Sequence, residues 1–196
     1  MSQTLTEPAS HEATIKRSRF IAHAQRCQNE DQARDFLARI GDPSATHNCW
    51  AWAAGHQYRF DDDGEPGGTA GRPILQAIEA QGMDQVAVVV IRYYGGIKLG
   101  TGGLARAYGG TAAECLRTAA SEPIIAMARL GCHLPFDAIA LFHQLLERHG
   151  GSKLAEEYAS KGIDLVVELP ADAKTGFTQD LRNATAGAAE VKQRQD

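Results

Sequence analysis

Cysteine is sparse and scattered: the four thiols, Cys27, Cys49, Cys115 and Cys132, form no CxxC pair and no Cys/His cluster of metal-binding spacing. That pattern excludes a zinc finger and a disulfide framework, and the four read as free, mostly buried thiols of a reducing compartment. No apolar run approaches eighteen residues, and the N-terminal MSQTLTEPASHEAT lacks the apolar segment of a signal peptide. Membrane insertion and secretion are therefore not expected, and a cytoplasmic location is. A basic excess is also missing. The formal net charge of −4 excludes a protein that coats nucleic acid by bulk charge, so contact with RNA has to come from a local patch. Neither GxGxxG nor GxxxxGK[ST] occurs, which removes a specific nucleotide assignment. The last absence is local: from Gln85 to Ala113 there is no Asp or Glu, while Arg92, Lys98 and Arg106 all fall there.

Those cations belong to RYYGGIKLGTGGLAR, residues 92–106, which follows the apolar run VAVVVI and precedes a helix-like stretch. A strand that ends in a glycine-rich turn and opens a helix presents unpaired backbone N–H groups and the positive end of a helix dipole, so phosphate recognition is its natural chemistry. Arg92, Gly95, Gly96, Lys98, Gly100, Thr101, Gly102, Gly103 and Arg106 are thus read as an anion cradle of unassigned ligand. The plain alternative is a tight architectural turn with solvated cations.

With 196 residues, 43% of them hydrophobic, the chain can bury a real core as one large domain or two small ones. Residues 1–13 read as a flexible leader. Alternation over Ile15–Gln25 predicts a strand with Ile15, Arg17, Arg19 and Ile21 on one side. Asn29 then caps a helix that carries Phe36, Leu37 and Ile40 and ends at Gly41 and Pro43. Strands follow at Thr46–Ala54 and Gln57–Phe60, the first placing Trp50, Trp52 and Ala54 on one face. After the turn residues DDDGEPGG comes a helix to Ala80, and then the strand Gln85–Tyr94, apolar at consecutive positions and so expected to be covered on both faces. Leu104, Tyr108, Ala112 and Leu116 predict the helix after the glycine loop, with Gly109 and Gly110 marking close packing against a neighbour. Ser-Glu-Pro at 121–123 suggests a boundary. Beyond it the order βαββα predicts a small α+β domain over 122–186, of ferredoxin-like type with its last strand missing, and the tail 187–196 reads as disordered. The fold class is α+β, with a first domain over 14–121.

Two further clusters invite chemistry. Asp61, Asp62 and Glu65 could hold Mg²⁺ beside a phosphate bound at the glycine loop, although Asp-Gly and Pro-Gly pairs are also ordinary turn chemistry. His47 and Cys49 share a strand face but do not converge, and no orienting third residue is apparent. No catalytic residue is therefore assigned, and His47 is expected to line a cleft beside the loop.

The segments KRSRFIA (16–22), THNCWAW (46–52), DDDGEPGGTAGRPIL (61–75) and VVVIRYYGGIKLGTGGLARAY (88–108) resemble the YigZ/IMPACT family in order and spacing. The resemblance implies a first domain with the fold of the second domain of a small-subunit ribosomal protein, shared with the GHMP kinases, whose phosphate loop also joins a strand to a helix. It implies a second domain like the last domain of elongation factor G. Residues that recur in the family map onto His47, Asn48, Asp61, Asp62, Gly64, Glu65, Pro66, Gly68, Thr69, Ala70 and Gly71, and onto the glycine loop. His47, Asn48, Asp61, Asp62, Glu65 and Thr69 are accordingly taken as a cleft. Eukaryotic members regulate translation by competing for the activator of a starvation-responsive kinase, but their additional N-terminal recognition domain has no match here, and that partner is not carried over.

Three functional expectations follow. The first is a cytoplasmic, translation-linked protein, not an enzyme, that binds RNA, a ribosome-associated component or another phosphate-bearing ligand such as a nucleotide, without a cofactor, a metal or a membrane. The second is a Mg²⁺-dependent enzyme acting on a phosphorylated small molecule or nucleotide. The third is a protein-binding regulator whose loop is purely architectural.

Overall fold

The computed structural model describes residues 2–193, and contacts divide the chain into one unit that ends at Ile124 and another that begins at Ile125. In chain order the first unit contains β1 (Gln3–Leu5), β2 (Ala9–Ile15), β3 (Ser18–Arg26), α1 (Glu30–Ile40), β4 (His47–Ala54), β5 (Gln57–Asp61), α2 (Gly71–Ala80), β6 (Val86–Tyr93), α3 (Thr101–Thr118) and β7 (Ser121–Pro123). Five strands form a sheet in the order β2-β3-β6-β4-β5, with every neighbouring pair antiparallel. The apolar run lies at its centre. Val86, Val88 and Val90 pack with the buried residues of α2 and α3, whereas Ala87, Val89 and Ile91 pack with Ala33, Phe36 and Trp52 on the α1 side. A strand buried on both faces has no polar side to alternate, which is why its sequence reads as continuous.

Local signals account for the helices. The Asn29 side chain accepts from the Gln32 N–H at 2.9 Å, Glu30 and Asp31 sit in the first turn of α1, and Ala33 and Phe36 are its buried stripe. Gly109 lets α3 approach α2 closely: a Cβ there would lie 3.3 Å from the Pro73 carbonyl oxygen. Gly110 has nothing within 4 Å, so only the first of the pair is needed for packing.

Three expectations are corrected. The stretch 15–25 is not one strand but a hairpin, because Lys16 and Arg17 take φ of 45° and 66° and turn the chain between Ile15 and Ser18. The leader is structured over its described residues: β1 pairs with the distant β7, Leu5 enters the core at 1% exposure, and β2 pairs along its whole length with β3. The tail supplies the strand the sequence reading left out.

That strand belongs to the second unit: β8 (Met127–Leu134), α4 (Ile139–Arg148), β9 (Ser152–Ala159), β10 (Gly162–Pro170), α5 (Lys174–Ala184) and β11 (Glu190–Gln193). The strands order as β11-β8-β10-β9, all antiparallel, so the element order is βαββαβ. Pairing of β11 with β8 covers an edge that would otherwise expose a row of backbone groups. Residues 194–196 of the expected disordered tail lie outside the described residues. Leu130, Cys132, Leu134, Leu165 and Val167 share one core with Phe142 and Phe177 of the helices, whose rings meet edge to face at 5.8 Å. All four cysteines are free and buried, and no described helix is long and apolar enough to cross a membrane.

Candidate functional site

Strand register builds the site. Phe20 on β3 stands opposite Arg92 on β6, and Arg92 opposite His47 on β4, so the three form a row across the sheet where β6 leaves for the glycine loop. Arg92 is only 5% exposed. Its Nη1 donates to Glu65 Oε1 at 2.5 Å and its Nη2 to Ser18 Oγ at 3.4 Å, and the guanidinium lies 5.5 Å from the Phe20 ring and 5.4 Å from the Tyr94 ring. Its Nε has no partner among the described residues. The Tyr108 hydroxyl of α3 donates to the same Glu65 oxygen at 2.7 Å, and His47 Nε2 lies 3.8 Å from it. His47 Nδ1 donates to the Asp63 carbonyl at 2.6 Å. Burial, then the neighbouring Cys49 and the Glu65 carboxylate, push the Tyr108 phenol up, so it serves as a donor. Burial also pushes the Cys49 thiol up to about 12, and its Sγ donates to the Asp62 carbonyl at 3.0 Å. A thiol in that state is not an activated nucleophile.

The glycine loop joins this row to α3. Gly95 is dictated by space: a Cβ there would lie 2.0 Å from the Arg17 carbonyl oxygen, so the loop presses directly onto the β2–β3 turn. Gly100, at φ 73°, is the N-cap of α3, and neither a side-chain cap nor an acidic residue serves the first turn of that helix. The contrast with α2 is sharp. There the Asp62 carboxylate accepts from the N–H groups of Gly68 (2.7 Å), Ala70 (2.9 Å) and Gly71 (2.8 Å). Burial disfavours its charge, but these three bonds outweigh burial and hold its carboxyl below the usual range. One helix start is closed by a carboxylate of the chain itself, and the other opens onto a cavity.

That cavity has a volume of about 470 Å³. Of the residues expected from sequence, His47, Glu65, Arg92, Lys98, Gly100 and Thr101 line it, joined by Tyr94, Leu99 and Leu104. Lys98 and Arg106 are exposed and in no ion pair with a described residue, and the Arg106 Nη1 lies 3.6 Å from where a Cβ on Gly102 would be, beside the first turn of α3. Gly96, at φ 83°, and Gly103 complete the loop and the first helical turn. Arg92 differs from the other two cations because Glu65 already balances its charge.

The remaining residues of the expected cleft work elsewhere. Asn48 brackets Asp42, accepting from its N–H at 2.8 Å and donating to its carbonyl at 3.0 Å. Asp61 accepts from the Asp63 N–H at 2.6 Å, and the Thr69 hydroxyl donates to the Pro66 carbonyl at 2.6 Å. With Asp62 committed to α2 and Glu65 to Arg92 and Tyr108, no three His, Cys, Asp or Glu side chains among the described residues are grouped to share a metal ion. Tyr108 escaped the sequence reading because its spacing fits an apolar stripe. The signal available was its hydroxyl, which needs a partner once buried. A second cavity, about 590 Å³, lies in the second unit and is lined by Glu156, Glu157, Asp164 and Glu190 with His133 and Lys192, an excess of carboxylates that repels phosphate.

A mixed α/β protein of two units, with a largely apolar cleft in the first that holds the Arg92–Glu65 pair and the unpaired Lys98, is the class these features define. The chain matches the Impact N-terminal domain over residues 16–116 and a domain of unknown function, DUF1949, over residues 132–188. It is 47% identical over 163 residues to an IMPACT family member from Thermus thermophilus, covering 83% of this chain and 89% of that one. To the IMPACT family member YigZ of Escherichia coli it is 34% identical over 184 residues, 90% of each chain. A crystal structure described as that of an hypothetical protein superposes with a TM-score of 0.74 at 31% identity, covering 100% of this chain and 98% of the other. The chain belongs to the YigZ/IMPACT family.

Proposed function

We propose that this protein is a cytoplasmic, translation-linked binding protein that takes RNA or another phosphate-bearing ligand in the cavity at the start of α3. The observation that carries the reading is the convergence of an uncapped helix N-terminus, the unpaired Lys98 and the buried Arg92 on one cavity of about 470 Å³. Backbone N–H groups and a helix dipole favour an anion there, and no carboxylate of the first turn competes for them. The likeness of the glycine loop to the phosphate loop of the GHMP kinases agrees with this, as does the βαββαβ unit, which we take as a ferredoxin-like contact module akin to the last domain of elongation factor G. A binder is favoured over a Mg²⁺-dependent enzyme because Asp62 is spent on the amides of α2.

The test is the salt dependence of binding to a short single-stranded RNA oligonucleotide. Replacing both Lys98 and Arg106 with Ala should weaken binding and make the slope of log K against log[salt] shallower by about 1.4, two cations at roughly 0.7 each. The fold should be intact by circular dichroism, since both side chains are exposed. An unchanged slope in the folded double variant would remove the reading.

A further inference from the structure

The β2–β3 turn is a basic feature beside the loop that lies outside the cavity lining. Lys16 and Arg17 occupy its two central positions at φ 45° and 66°, with Ile15 and Ser18 paired on either side. A two-residue hairpin turn with positive φ at both positions favours Asn-Gly, Asp-Gly or Gly-Gly, because a side chain in the left-handed region clashes with the following carbonyl. Two long cationic side chains sit there instead, and local strain of this kind persists where the surrounding structure or the function demands it. Both are exposed, and neither is in an ion pair with a described residue.

The turn is also held in place. The Arg17 carbonyl oxygen lies 2.0 Å from where a Cβ on Gly95 would be, and Ser18 Oγ accepts from the Gly95 N–H at 3.2 Å and from Arg92 Nη2 at 3.4 Å. The backbone that carries these two cations is thereby held against Gly95, whose neighbour in sequence, Tyr94, is 46% exposed with the Arg92 guanidinium 5.4 Å from its ring. Cations at two places, Lys98 in the cavity lining and Lys16 with Arg17 at the turn that meets Gly95, together with the exposed Tyr94 of the same lining, are the parts of a surface that tracks a nucleic-acid backbone and stacks a base. A single phosphate would need only one of those points.

We infer that Lys16 and Arg17 form a second phosphate contact, and that the site therefore takes a single-stranded RNA strand running from the start of α3, past Tyr94, onto the β2–β3 turn. The inference rests on the proposed reading of the cavity but makes a separate demand. The turn should matter for a strand and not for a lone phosphate.

The variant Lys16→Asn/Arg17→Gly installs the pair the turn prefers, so it removes two charges without straining the backbone and should fold at least as well as the parent. Binding of the RNA oligonucleotide should weaken, with the salt slope shallower by about 1.4, while the affinity for inorganic phosphate stays as in the parent. Lys98→Ala/Arg106→Ala should weaken both. A turn variant with the parent's slope, beside a cavity variant with a reduced one, would overturn the second contact and leave the cavity reading standing. A slope reduced only by the turn variant would keep the turn as an RNA contact and sink the cavity reading. Parent slopes in both variants would overturn both, and equal loss of inorganic phosphate binding in the two would show one anion site and no track.

Discussion

Replacing Glu65 with Ala is expected to cost the first unit about 3–5 kcal/mol, the range for removing one partner of a buried ion pair. The side chains of Glu65 and Arg92 are 5% and 6% exposed, so the remaining guanidinium cannot recover its lost partner from bulk water. Arg92 Nε already lacks a partner among the described residues, and the Tyr108 hydroxyl would lose its acceptor as well. Urea unfolding followed by circular dichroism reads the loss. The companion variant Glu65→Leu/Arg92→Met removes both charges and should recover much of it, because desolvating the pair offsets most of its mutual attraction. A Glu65→Ala loss below about 1 kcal/mol, the level of an exposed pair, would mean that the pair is hydrated and does not organise the floor of the cavity.

The second large effect is expected at Gly95. In Gly95→Ala the new methyl would meet the Arg17 carbonyl oxygen at 2.0 Å and the Ser18 nitrogen at 2.6 Å, and both are backbone atoms of a paired hairpin. A flexible side chain could swing away, but here either the hairpin or the loop has to move. Inserting a methyl into packed structure typically costs 1–3 kcal/mol, and the backbone clash puts this case at about 3 kcal/mol or more, a fall in Tm on the order of 10 °C. Differential scanning calorimetry measures it. If Gly95→Ala melts like the parent, the turn is not clamped to the loop, and the positioning of Lys16 and Arg17 loses its basis.

Strong local patterns were legible. The consecutive apolar residues of β6 announce burial on both faces, and Asn29 with Glu30 and Asp31 announces the start of α1. The glycine loop declares itself through composition alone. What stayed hidden depends on distant pairing. β1 has three residues and finds its partner at Ser121–Pro123, β2 is a half-polar edge strand, and β11 offers little more than a half-buried Val191 to mark it. The hairpin at Lys16 and Arg17 carries none of the turn residues its backbone calls for, so its sequence reads as continuous strand.

The candidate site divides in the same way. Its rim, Lys98 to Arg106, is contiguous in sequence, whereas its floor joins Glu65 to partners 27 and 43 positions away in Arg92 and Tyr108. The acid-free stretch around Arg92 suggested a free cation, and only the fold reveals that the DDDGEPGG loop returns Glu65 to balance it. The same loop looked like a cluster of metal ligands because carboxylate density is visible in sequence, but the backbone amides that occupy Asp62 are not.

The most direct measurement of the central claim is an amide ¹H–¹⁵N correlation titration of the labelled protein with the single-stranded RNA oligonucleotide. Backbone N–H groups at the start of α3 are the proposed ligand donors, and the Leu104 N–H is already bonded to the Gly100 carbonyl at 2.9 Å, so the amides of Lys98 and of Thr101 to Gly103 should shift saturably and more than any in the second unit. Saturable shifts confined to the second unit, with residues 95–104 unmoved, would contradict it.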